Sequence, residues 1–119
     1  MVSHKTKRAA LADEARRVTD ELVALGLDAD MLAVMTQKVR RVLGGVLEQE
    51  FRQLDMLHPR HKERVREDLL AAIEDSLGKA ASGTLRGYAR QFQAAAGGCE
   101  TVEGRNALLG IANTLSAAI

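Results

Sequence analysis

Apolar residues recur at steps of three and four along almost the whole of this chain, and that period belongs to the α-helix. Leu11, Ala15, Val18, Leu22 and Leu25 form a first stripe, ended by Gly26 where helices commonly turn left-handed. Leu32, Met35, Val39, Val42 and Val46 form a second, with Asp28 or Asp30 as N-cap, and its later turns pass to Leu43, Leu47, Phe51 and Leu54. A third stripe carries Val65, Leu69, Ala72, Ile73 and Leu77, and a fourth Leu85, Tyr88, Phe92 and Ala95. No stretch alternates apolar with polar residues as a half-buried strand does. The expectation is an all-α protein, one helical domain over residues 1–119, built as a compact and oligomeric bundle of four to five helices.

The breakers refine the boundaries. Pro59, the single proline, disfavours helical dihedrals at His58 and suits the first position of the next helix. Gly78 to Gly83 reads as a turn, Gly97-Gly98 as a break, and Thr101 as the cap of a last helix. Gly44 and Gly45 sit inside the second stripe at a cost of roughly 2 kcal/mol in helix propensity. Either the helix kinks there or a neighbour passes close over the missing side chains.

The last segment has no charge after Arg105, and apolar or small residues cover most of its circumference. Fourteen residues, 106–119, at ~1.5 Å each reach about 21 Å, short of a ~30 Å hydrocarbon core, so a membrane span is disfavoured. A chain of this length encloses a helix completely only with difficulty, which points to a subunit interface through Leu108, Ile111, Leu115 and Ile119. The alternative is a core helix with a wet edge at Asn106, Asn113 and Ser116.

Charge excludes little and directs little. Seventeen Lys and Arg against sixteen Asp and Glu leave +1, so no global field draws the chain to nucleic acid or to an anionic membrane. Local patches remain, at Lys5, Lys7, Arg8, Arg16 and Arg17, at Lys38, Arg40 and Arg41, and at Arg86 and Arg90, four apart behind Thr84. Aromatic residues are few, Phe51, Tyr88 and Phe92, which removes the usual stacking platforms for single-stranded nucleic acid. Cys99, the lone cysteine, allows no intrachain disulfide and no cysteine-built zinc cage. With no apolar signal segment behind the basic start, the expected location is the cytoplasm.

Candidate chemistry is sparse. Asp55, His58 and His61 carry metal-ligand types at spacings of three, although Pro59 interrupts the helix face they would need, and His4 and Cys99 are the further donors available. Amide dipoles after Gly97-Gly98 would lower the Cys99 thiol pKa, with Glu100 opposing them. Arg40, Arg41, Glu48 and Arg52 are the residues a helical catalyst would draw upon. No phosphate-cradling glycine loop, nucleophile elbow or metalloprotease motif occurs. The functional expectation is a non-enzymatic binding domain that self-associates and engages a protein partner, without cofactor. Alternatives are a small dimeric DNA-binding regulator that uses Lys5, Lys7, Arg8, Arg86 and Arg90, or a metal- or small-ligand-binding bundle.

Overall fold

Among the described residues side-chain caps open five helices, and a glycine closes the first. The computed structural model describes residues 4–80 and 83–119, with side chains for 13–14, 16–80 and 83–119. Helix α1 (His4–Ala24) closes at Gly26, whose φ of 109° is the left-handed conformation that glycine adopts without strain. The Gly26 amide donates to the Val23 carbonyl at 2.9 Å and the Leu27 amide to that of Leu22 at 3.2 Å, the paired bonds of a Schellman end. Leu27 then tucks into the core, and Arg66 donates to the orphan Leu25 carbonyl at 3.2 Å.

The second stripe is two helices, a correction that raises the count to six. Asp28 accepts from the Asp30 amide at 2.8 Å to start α2 (Ala29–Ala33). The chain leaves the helix at Val34 and re-enters behind Thr36, whose hydroxyl accepts from the Val39 amide at 3.3 Å and opens α3 (Gln37–Gln53). Leu32, Met35 and Val39 are all buried, so their helical spacing runs across the break and conceals it.

Helix α3 continues through Gly44-Gly45, and the close approach decides between the two earlier possibilities. A methyl group built on Gly44 would lie 2.8 Å from Val18 Cγ1 of α1, whereas one on Gly45 meets nothing within 4 Å. A single 3-10 turn (Leu54–Met56) leads to α4 (Pro59–Lys79), with Pro59 in its first turn and His58 Nδ1 accepting from the Arg60 amide at 3.4 Å. Helix α4 carries through Gly78, so the expected turn begins two residues later, and residues 81 and 82 within it lie outside the described residues. Thr84 caps α5 (Leu85–Ala96) and Thr101 caps α6 (Val102–Ala117).

The core is centred on α6, which packs against α3, α4 and α5. Val65, Leu69 and Ile73 are fully buried with Leu43 and Leu47 of α3, Phe92 of α5, and Leu108, Ile111 and Leu115 of α6. Two polar residues are buried among the described ones, Thr101 and Ser76, the Ser76 hydroxyl donating to the Ala72 carbonyl at 2.7 Å with the Gln91 carbonyl of α5 at 3.4 Å. One chain thus supplies the enclosure of α6 that was assigned to a second copy. Leu108, Ile111 and Leu115 have no accessible surface, Asn106, Asn113 and Ser116 form the wet edge, and of the four expected interface residues only Ile119, 61 % exposed, faces outward. Among the described residues no helix is long and apolar enough to cross a membrane.

A carboxylate joins α4 to the α5–α6 turn. Asp68 accepts from the Glu100 amide at 3.1 Å, the Thr101 amide at 3.0 Å and the Thr101 hydroxyl at 2.6 Å, while the same hydroxyl oxygen accepts from the Gly104 amide at 3.1 Å. Residue 104 must be glycine here, because a methyl group would lie 2.6 Å from both Asp68 Oδ2 and Thr101 Oγ1. Desolvation acts to raise the Asp68 pKa, but the Thr101 hydroxyl, the Thr101 and Glu100 amides and the Arg64 charge outweigh it and hold the carboxyl below its ordinary value.

Two outcomes follow for stability. Gly44→Ala is expected to destabilise by about 1–3 kcal/mol through overpacking, and Gly45→Ala to stabilise by up to ~1 kcal/mol; urea unfolding of the pair measures the contrast, and effects of one sign would contradict the α1–α3 contact. Asp68→Ala leaves three donors without their acceptor and should cost about 1–3 kcal/mol. A depressed folded pKa contributes stability above the unfolded value, near 3.9, that is lost as pH falls through the folded one. Below about pH 4 the parent chain therefore loses this contribution and the alanine variant has none to lose, so their unfolding midpoints should converge.

Candidate functional site

Helices α3 and α5 begin beside each other, and between their first turns lies a surface groove of about 550 Å³. Its lining runs from Thr36, Lys38 and Val39 on α3 to Gly83, Thr84, Leu85 and Arg86 at the start of α5, with Ile119 behind α6. The N-caps explain the arrangement: Thr36 and Thr84 each turn an extended segment into helix, so both first turns present their outward side chains to one space.

The groove combines apolar walls with charge of one sign. Val39 and Leu85 are almost buried and form its sides, Ile119 is exposed above them, and Val34, 83 % exposed, stands two residues before Thr36. Lys38 and Arg86 are exposed on opposite rims, and no Asp or Glu side chain lines the space. Each helix N-terminus adds roughly half a positive charge from its aligned peptide dipoles. A second groove of about 560 Å³, between α4 and α5, has Ala71, Ala72, Ala94 and Ala95 for its floor. Its lining sets Arg64 against Glu67, Asp68, Asp75 and Glu100, so its charge is negative, opposite in sign to that of the α3–α5 groove.

The other candidates are dispersed or engaged. Asp55 pairs with Lys62, His58 caps α4, and His61 Nε2 lies 2.9 Å from Glu103 of α6. The hydrogen bond from His61 lowers the Glu103 pKa. Among the described residues no group of three or more His, Cys, Asp or Glu side chains is placed to hold a metal ion. Cys99 is buried with its Sγ 3.8 Å from the Ala95 carbonyl, and desolvation, followed by the Asp68 charge, pushes its thiol pKa up against the pull of Arg105. That is the opposite of the dipole-activated thiol considered from sequence.

Arg40, Arg41, Glu48 and Arg52 do not form one constellation either. Arg40 donates to Thr19 at 3.0 Å, Arg41 pairs with Glu14 at 3.1 Å across α1 and α3, and Arg52 pairs with Glu48 at 2.7 Å along α3. Arg86 and Arg90 are exposed on α5, while Lys5, Lys7 and Arg8 lie outside the residues whose side chains are described. Lys38 and Ile119 were noted in the sequence for other reasons, as part of a basic run and of an apolar stripe. Only the meeting of two helix starts places them in one groove.

Comparison with protein-family models, with curated proteins and with solved structures gives no match to this chain.

Proposed function

We propose that this chain is a non-enzymatic helical binding domain that takes a protein partner through the groove between the starts of α3 and α5. The supporting observation is the combination of apolar walls at Val39, Leu85 and Ile119 with a rim carrying Lys38 and Arg86 and no side-chain carboxylate. Apolar anchors seated in a pocket and ringed by polar groups are the usual energetic centre of a protein interface. The fitting partner segment has an apolar side chain for the walls and flanking carboxylates for the rim.

The surface reading replaces Leu108, Ile111 and Leu115 as contact residues and retains Ile119. Self-association through the same groove would have to seat an acidic, apolar segment of a second copy, which light scattering at several concentrations tests directly. DNA binding is the second reading, favoured by Arg86 and Arg90, exposed four residues apart on α5 beside the same cationic rim.

One titration separates these readings. A labelled peptide alternating Glu and Leu should bind, and Lys38→Glu with Arg86→Glu should weaken it at least tenfold while thermal stability is retained, because both side chains are exposed. A peptide alternating Lys and Leu should bind no better than background. Equal affinity for the two peptides, or an unchanged affinity in the double variant, refutes the groove. Tighter binding to duplex DNA than to the acidic peptide, with affinity falling steeply in salt, would establish the second reading instead.

A further inference from the structure

A second cleft, independent of the groove, separates α3 from α6. Glu50 stands on α3 near its C-terminal end, half-buried, with its carboxylate against the α6 backbone. A methyl group built on Gly110 would lie 2.9 Å from Glu50 Oε1 and 3.6 Å from Cδ, so the absence of a side chain at 110 makes the room that this carboxylate occupies. Among the described residues the Glu50 side chain has no hydrogen bond and no ion pair. The exposed acids Glu48, Asp55 and Glu103 all have cationic or imidazole partners within reach. Desolvation without a compensating partner raises the Glu50 pKa.

The space in front of this carboxylate measures about 310 Å³, at the lower end of the ~300–1,000 Å³ range of small-molecule sites. Leu54, Leu57 and Ala107 supply apolar surface, and Gln53 and Asn106 supply amide groups. Glu103, already joined to His61, adds a second negative charge to the lining. Among the described residues no group of three or more His, Cys, Asp or Glu side chains faces this space, so it lacks the clustered ligand set that a metal ion takes. A cation that carries its own apolar body suits every part of the lining.

We propose that the α3–α6 cleft binds a small organic cation, an ammonium or guanidinium group on a short alkyl chain, with Glu50 as its counter-charge. The charged end meets the Glu50 carboxylate, the methylenes lie along Leu54, Leu57 and Ala107, and the side-chain carbonyls of Gln53 and Asn106 accept the remaining N–H groups. Gly110 is the positioning residue, because any side chain there displaces the carboxylate from its seat.

Calorimetric and thermal-shift titrations with n-butylammonium and agmatine, against n-butanol and butanoate as neutral and anionic counterparts, test this at constant ionic strength. The amines should raise the unfolding midpoint in a saturable way, and the alcohol and the acid should not. Glu50→Gln removes an uncompensated charge and keeps the shape, so it should fold and should lose at least tenfold in amine affinity. Gly110→Ala, which moves the carboxylate without removing it, should also weaken binding, with folding checked by circular dichroism. Equal shifts from butylammonium and butanol, undiminished amine affinity in Glu50→Gln, or no saturable response to either amine at millimolar concentration would each overturn the proposal. The groove variants Lys38→Glu and Arg86→Glu should leave amine binding unchanged.

Discussion

The four hydrogen bonds in which Asp68 and Thr101 take part hold together segments that hydrophobic contact alone would leave loosely registered. Helix α6 is the central element of the core, against α3, α4 and α5, and α4 packs on α5 and α6 as a pair joined by a short turn. An apolar face specifies that two helices meet but tolerates sliding along the axis, since neighbouring leucines are nearly interchangeable. A carboxylate that accepts from two successive amides and a hydroxyl fixes axial position to within a bond length. The Thr101 hydroxyl both donates to that carboxylate and accepts from the first turn of α6, so inter-helix register and helix start are set by one oxygen. This framework fixes α5 and α6 against α4, and α3 reaches the candidate groove through its own packing on α6.

Both candidate sites are consequences of helix ends and glycines. The groove has a cationic rim because two capped N-termini open into it beside Lys38 and Arg86. The cleft has an anionic wall because Gly110 lets Glu50 lie against a helix backbone without a partner. Their fields have opposite sign in a chain whose net charge is +1, which shows how little the total charge says about local recognition.

Much of the architecture was readable from the residues. Pro59 opens α4, Gly26 ends α1, Gly97-Gly98 follows α5 and Thr101 caps α6, because caps and breakers act locally through the backbone. The break at Val34–Thr36 was not readable from periodicity, since Leu32, Met35 and Val39 keep helical spacing across it; the Thr36 cap was the available signal. The role of Gly44 required knowing that Val18 lies above it. Leu108, Ile111 and Leu115 illustrate a different limit, because an apolar face signals burial without saying whether the same chain or another one provides it. Glu50 and Gly110 are sixty residues apart in sequence and belong to no motif, so neither drew notice before the fold brought them together.

Gly44 also bears on how the molecule opens. Two adjacent glycines make the middle of α3 intrinsically weak as a helix, and the contact with Val18 of α1 at that point offsets the weakness. When α1 lifts away, α3 loses its support at its least helical residues, and Val18 and Leu22 lose the surface they pack on. The two helices therefore support each other at one point, and opening of α1 is expected to weaken the middle of α3. The α4–α5–α6 unit has ties of its own through Ser76 and Asp68, none of which passes through α1.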